Sequence, residues 1–413
     1  MESQRLMMVP VGCMEKQRKN RKRGGSDLHS VLCMQGGDDD GSYAKNSEAP
    51  ASAIALAEPL LVDALLNAMT AIKTGDMSIE SSDTAVVRIA DLGCATGLNT
   101  LATVDLIVRT LQQRRRFCSG MEFEAFFADL PSNDFNSLFR LLPPLSLSDS
   151  EDADADEDGR RYYAAGVAGS FYGRLFPKRS IHVAVSLSAL HWLSQIPKRV
   201  LQKSSGAWNK GRAWIDGAEA DVVAAYARQS EEDLLAFLRC RREEMVEGGL
   251  LFLLMAGRDG SQGAENQLGD PESRAKHPFT SSMDEAWRDL LNEGLIDEEM
   301  RDTFNIPAYM RSIEEVRRAF DECGGFEVKR AEYERIIEHS REKQEQWIRS
   351  PVSYGKAKAN LVRATLKPII EAHIGPALSE EFFNRFEKRV SEDIGMLHKT
   401  CFYGVIVVVA IKK

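Results

Sequence analysis

The stretch Ala90-Asp-Leu-Gly-Cys-Ala-Thr-Gly-Leu-Asn99 gathers residue types with chemical use: the carboxylate of Asp91, then glycines two and six residues on. Glycine has no Cβ, so backbone at this spacing can approach a bound nucleoside closely. The pattern is neither the GxGxxG of a pyrophosphate site nor a P-loop with its Lys-Ser/Thr, which disfavours dinucleotides and nucleoside triphosphates. S-adenosylmethionine, a nucleoside derivative without pyrophosphate, fits better. A second carboxylate, in Asp129-Leu-Pro131, ends the next apolar run and can accept both ribose hydroxyls. Gly169-Ser-Phe-Tyr-Gly173 adds a hydroxyl and two rings able to hydrogen-bond and sandwich a purine. Alone, each reads equally as an ordinary turn or loop, but together they point one way. In Leu190-His-Trp-Leu-Ser194, His191 is the relay candidate should an acceptor have to lose a proton. By itself it also reads as a satisfied core histidine, as His182 does.

Positioning these residues takes alternating strands and helices. Ala85–Asp91 is a short β-branched run ending at Gly93, and apolar spacing over 99–115 predicts a helix. Further strands are expected at 123–129, 181–187 and 249–256, the last after a helix over 230–247, with a closing strand at 402–411. Alternation of this kind implies parallel pairing under right-handed crossovers, an α/β doubly wound, Rossmann-like sheet with ligand at the carboxyl ends of its strands. Residues 262–345 are helical and acidic, with helices expected at 282–293 and 312–322, a strand-like segment near 326–328, and more helix at 356–373 and 379–396. The organisation expected is a basic tail 1–33, an α/β domain 34–261 interrupted by an acidic loop 146–159, a helical cap 262–395 over the sheet, and a final strand within 396–413, antiparallel to the others.

The chain has 413 residues, and 43% hydrophobic with 28% charged content is that of a globular protein rather than a disordered or fibrous one. Fifty-three basic against 62 acidic residues leave a net charge of −9, which gives no broad positive field for nucleic acid. Seven cysteines without a CxxC favour reduced thiols and a cytoplasmic setting. No apolar run of spanning length stands out, so no membrane is expected. The run Lys16–Arg23 reads as a solvated tail.

At this point the sequence resembles the plant SABATH methyltransferases. The resemblance is carried by Gln35-Gly-Gly, Ser42-Tyr-Ala-Lys-Asn-Ser47, DLGCATGLNTL, Asp129-Leu-Pro-Ser-Asn-Asp-Phe135, Gly169-Ser-Phe-Tyr-Gly-Arg-Leu-Phe-Pro177, Leu190-His-Trp-Leu-Ser194, Asn209-Lys-Gly211 and Phe304-Asn-Ile-Pro307, in order from about residue 34 to 411. That family contains carboxyl methyltransferases of salicylate, benzoate, jasmonate and indole-acetate, and xanthine N-methyltransferases. The resemblance implies a donor pocket of Tyr43, Ser47, Asp91, Cys94, Asn99, Asp129, Leu130, Ser170 and Phe171. It implies His191 and Trp192 facing the acceptor as the catalytic pair, with Gln35, Ser188, Phe279, Tyr309 and Phe402 around it. A magnesium site described for some members maps onto Asn209, Asp302, Phe304 through its carbonyl, and Asn305; without the resemblance these read as a hydrogen-bonded turn. A homodimer is implied as well. Three departures fall on the acceptor side: Pro50 where carboxylate-methylating members carry a glutamine, Gln35 where lysine is common, and Ser188 where tyrosine is frequent.

The activity expected is methyl transfer from S-adenosylmethionine to the carboxylate of a small aromatic or apolar acid. A carboxylate is ionised at neutral pH, so no general base is required. Transfer to a thiol, phenol or ring nitrogen would need His191 as base. A non-catalytic protein that only binds S-adenosylmethionine would keep the donor motifs and lose the acceptor ones.

Overall fold

The computed structural model describes residues 28–72, 85–113, 121–146, 159–268, 278–337, 339–393 and 402–413, with 395 and 398. The run Lys16–Arg23 and the acids between 149 and 158 lie outside the described residues.

A seven-stranded sheet organises the chain: β1 (Ala85–Leu92), β2 (Met121–Asp129), β3 (Tyr163–Ala168), β4 (Ile181–Leu187), β5 (Met245–Ala256), β6 (Phe326–Ile337) and β7 (Phe402–Lys412), in the order β3-β2-β1-β4-β5-β7-β6. The first five pair in parallel, while β7 runs antiparallel to both β5 and β6. The expected late antiparallel strand is therefore β7, and β6, which runs in the direction of the first five, lies beyond it at the edge. After β3 the chain crosses back to lay β4 against the other side of β1, and ligands of open α/β sheets bind at the carboxyl ends of the strands beside such a reversal.

Strand periodicity sends alternate residues to opposite faces. On β7, Val405, Val407 and Val409 join one buried cluster and Ile406, Val408 and Ala410 another. Helices α1 (Glu48–Ile72) and α2 (Leu98–Gln113) cover the first face through Ala53, Ala57, Leu61 and Leu65 and through Leu101, Val104, Ile107 and Val108. After the short α3 (Phe135–Arg140), α4 (Ala220–Glu244) and, later, α7 (Ile313–Cys323) cover the second through Leu234, Phe237 and Leu238 and through Val316, Ala319 and Phe320.

A third cluster forms the cap. It gathers Leu32, residues between Leu193 and Tyr226, α5 (Pro278–Asn292), α6 (Glu298–Thr303) with the segment to Tyr309, then α8 (Arg341–Arg349), α9 (Pro351–Ile374) and α10 (Pro376–Glu392). The cap is thus assembled from separated stretches. Residues 313–337, expected within it, return to the sheet as α7 and β6.

Candidate active site

The loop after β1 makes the first wall of the site. Gly93 adopts φ +88°, and a Cβ there would stand 2.4 Å from the Ala189 Cβ, so only glycine suits this turn. Two residues on, Ala95 holds φ 52°, and Ser188, just after β4, holds φ 60°. Left-handed backbone in non-glycine residues costs energy and gathers at functional sites. Both residues line one cavity of about 940 Å³, mouth included, at the carboxyl ends of β1, β2 and β4.

That cavity brings together most of the expected donor residues: Tyr43, Asp91, Cys94, Asn99, Asp129, Leu130, Ser170 and Phe171. Asp129 accepts from the amides of Ala95 at 2.8 Å and Leu130 at 2.7 Å, which fixes its carboxylate in the wall. Burial pushes its pKa up to about 6 against the pull of those two amides. Asp91 accepts from the Thr100 hydroxyl through Oδ2, while its buried Oδ1 has no protein partner. Burial lifts Asp91 to about 7, with the Thr100 bond opposing and the Asp129 charge adding to the rise. Asn99 likewise presents a buried, unpartnered Nδ2. Buried polar atoms are normally paired, so orphans on a cavity wall mark where a ligand completes the bonding. Two carboxylates and an amide donor suit a cationic ligand bearing vicinal hydroxyls and an amino acid end.

Expected residue Ser47 does not line the cavity. It precedes α1 and accepts from the Ala51 amide through its carbonyl.

On the acceptor side the outcome is mixed. Trp192 and Ser188 line the cavity. His191 does not. Its Nδ1 is buried without a partner, its ring centroid stands 5.4 Å from that of Trp192, and burial with help from Arg311 pulls its pKa down to about 4. An imidazole held neutral in this way is a weak base at neutral pH.

The other expected acceptor residues are held elsewhere. Tyr309 is buried, donates to Glu315 at 2.8 Å and lies off the cavity wall. Phe279 packs edge-on against Phe386 in the cap, and Phe402 stands 38% exposed at the start of β7 under the Arg335 guanidinium. Approximate alignment gave these residues a position along the chain but no direction for the side chain. Gln35 sits behind the wall, its backbone tied to Ala364 and Tyr43 at 2.8 and 2.9 Å.

Sequence reasoning missed the wall formed by Leu28, His29, Leu32, Cys33 and Met34. This part of the expected tail is ordered, beginning with a short turn at Leu28–Ser30, and Leu32 belongs to the cap core. The signal was present in Leu28, Val31 and Leu32, apolar at helical spacing, but two residues after the Gly-Gly-Ser it passed for tail. Ile54, Gly97, Thr100, Tyr172, Leu187, Ala189, Leu193 and Ser194 also line it.

The residues mapped to magnesium converge in the cap. Asn209 donates to the Asn305 side-chain oxygen at 2.7 Å and to the Trp214 carbonyl at 3.1 Å, and Asp302 accepts from the Gly211 amide at 3.0 Å. None of the four lines the cavity. Their oxygens, one carboxylate with carbonyl and amide groups, are those a hard cation takes. The Asn305 side-chain oxygen already accepts from Asn209 and from the Tyr226 hydroxyl, and its buried, unpartnered Nδ2 is a donor that offers nothing to a cation.

Residues 29–413 match the family described as SAM dependent carboxyl methyltransferase. Gibberellic acid methyltransferase 2 of Arabidopsis thaliana is 55% identical over 392 residues, 94% of this chain and 96% of that protein. Gibberellic acid methyltransferase 1 of the same plant is 48% identical over 390 residues, 93% and 98% of the two chains. The solved structure of loganic acid methyltransferase with SAH superposes with a TM-score of 0.74 at 31% identity, covering 92% of this chain and 99% of that one. The chain therefore belongs to the SABATH family, as a SAM-dependent carboxyl methyltransferase that moves a methyl group from S-adenosylmethionine to the carboxylate of a small acid.

Proposed function

We propose that the acceptor is a gibberellin carboxylate, converted to its methyl ester. The observation that carries this reading is the 55% and 48% identity, over more than nine-tenths of both chains, to two relatives named for gibberellic acid. The acceptor half of the cavity is consistent with a bulky alicyclic acid, because Leu28, Leu32, Ile54, Leu187 and Leu193 give it apolar walls. Apolar enclosure favours a fused-ring hydrocarbon body by roughly 25 cal/mol per Å² removed from water. This takes the apolar rather than the aromatic side of the expectation from sequence.

In this reading the donor lies against Asp91, Asn99, Asp129, Ser170 and Phe171, with Asp129 on the ribose hydroxyls. Trp192 walls the acceptor and orients its carboxylate. Reaction is an in-line displacement: a carboxylate oxygen lone pair forms the bond to the methyl carbon while the carbon–sulfur bond breaks and its electron pair passes to sulfur. Sulfonium and carboxylate become a neutral thioether and a neutral ester, and no proton moves. Because opposite charges cancel along this path, a cavity that aligns the two and excludes water lowers the barrier. A neutral His191 is compatible with chemistry that needs no base.

A methyl-transfer assay with labelled S-adenosylmethionine against gibberellic, indole-acetic, jasmonic and salicylic acids tests the assignment. Gibberellic acid should exceed the others in kcat/KM by at least about tenfold, the discrimination that shape in an apolar pocket supports. A planar aromatic acid turned over faster would overturn it.

A further inference from the structure

The loop after β3 is held from beneath by a buried ion pair at the end of α4. Arg241 and Glu244, both about 1% exposed, meet at 2.7 Å. Arg241 donates to the carbonyls of Phe171 at 2.9 Å and Gly173 at 3.0 Å, and Glu244 accepts from the amides of Leu175 and Phe176. On the opposite side of the cavity the turn Ala189–Leu193 is pinned in the same manner. Arg311, buried, donates to the carbonyls of Leu190 and Ser230, while Leu193 and Tyr309 exchange backbone bonds across to Pro307 and His191.

Between these two anchored pieces runs Tyr172. Its ring meets Phe171 edge-on at 4.7 Å and 70°, and its hydroxyl donates to the carbonyl of Trp192, with the Leu190 carbonyl at 3.5 Å. Burial raises the phenol well above its ordinary range, so it stays a donor at any working pH. The contacts from Phe171 through Tyr172 to Trp192 are contiguous, and all three residues line the cavity, Tyr172 between the other two.

We propose that Tyr172 is a positioning residue that couples the two halves of the cavity, so that a donor resting against Ser170 and Phe171 fixes Trp192 and tightens the hold on the acceptor. A ligand that orders a shared wall lowers the ordering cost for the next one, and the coupling is reciprocal. The inference rests on the assignment of the Ser170–Phe171 wall to the donor. Binding of S-adenosylhomocysteine to the wild-type enzyme and methyl transfer by it test that assignment separately.

Calorimetry of the acid that the wild type turns over, with and without saturating S-adenosylhomocysteine, reads the coupling. In the wild type the product should tighten acid binding by about tenfold, inside the usual range for coupled sites. Tyr172→Phe keeps the ring and removes the hydroxyl; it should reduce that enhancement to under about twofold while leaving S-adenosylhomocysteine affinity within about twofold. Tyr162→Phe, which removes a buried hydroxyl that has no protein partner, should keep the full enhancement. Undiminished enhancement in Tyr172→Phe overturns the proposal. Equal loss of affinity for both ligands does so too, since it would make the hydroxyl merely structural. If Tyr172→Phe fails to fold, Phe171→Leu breaks the same chain of contacts at the ring pair, and enhancement retained there overturns it equally.

Discussion

Asp91 and Asp129 combine deep burial with pKa values raised to about 7 and about 6. Both folded values lie above those of the unfolded chain. The stability linked to their protons is therefore present in acid and is lost as pH rises through about 6 to 7 in the empty enzyme. Donor binding reverses the preference, because a sulfonium, an ammonium and ribose hydroxyls all favour ionised carboxylates. S-adenosylmethionine affinity should consequently rise between pH 5.5 and 7.5, by up to about tenfold per pH unit for each proton released. Calorimetry in buffers of different ionisation enthalpy would show the released protons, and a flat profile would remove the two acids from the donor site. These residues were legible in the sequence because they end strands, where spacing alone fixes their placement. Tyr309 and Phe402 were not, since their orientation depends on Glu315 and Arg335, partners that no local pattern announces.

Among the elements, the β1-to-α2 turn places the donor wall with least tolerance. Gly93→Ala would combine a left-handed backbone with a Cβ 2.4 Å from that of Ala189. The substitution should cost about 1–3 kcal/mol of stability, as overpacked sites do, and weaken donor binding by more than about tenfold. Gly375, at φ +83° between α9 and α10 with nothing within 4 Å of a built Cβ, supplies the comparison. Its alanine variant should lose about 1 kcal/mol and bind donor normally. Thermal melts and donor titrations of the two proteins separate backbone strain from the steric clash at the cavity; equal donor affinity in both would show that the turn does not set the wall. The strands around this turn were readable because β1, β4, β5 and β7 are apolar runs rich in branched residues. By contrast β6 is an edge strand whose charged residues Glu327, Lys329, Arg330, Glu332 and Glu334 protect it from pairing, and the same charges hid it beyond its first three residues. At Gly249 the sequence suggested the start of a strand. The structure begins β5 at Met245 and absorbs Gly248 and Gly249 in a register shift between the Ile181 and Val183 pairings. Helix α1 went unread because its core positions are mostly alanines, weak markers of an apolar face.

At the scale of the whole molecule, the cavity lies on the seam between the sheet and a cap drawn from four separated stretches of chain. No single boundary at residue 262 could describe such a cap, since long-range packing rather than composition assigns its members. The Asn209, Asp302 and Asn305 cluster joins two of those stretches across 96 positions, away from the reacting atoms. A magnesium ion held there by the carboxylate, the Phe304 carbonyl and the asparagine oxygens would add cross-linking to the cap and would not reach the transferred methyl. Removing divalent ions with a chelator should therefore lower Tm by about 2 °C or more, restored by magnesium, as loss of about 1 kcal/mol of linked binding energy would do. The methyl-transfer rate at saturating substrates and 25 °C should stay within about twofold, because in-line displacement by an ionised carboxylate asks for no Lewis acid. A rate that collapses on chelation while Tm stays fixed would place the ion at the chemistry instead, and would require the cap to open a path from Asp302 to the cavity that the closed cluster does not provide.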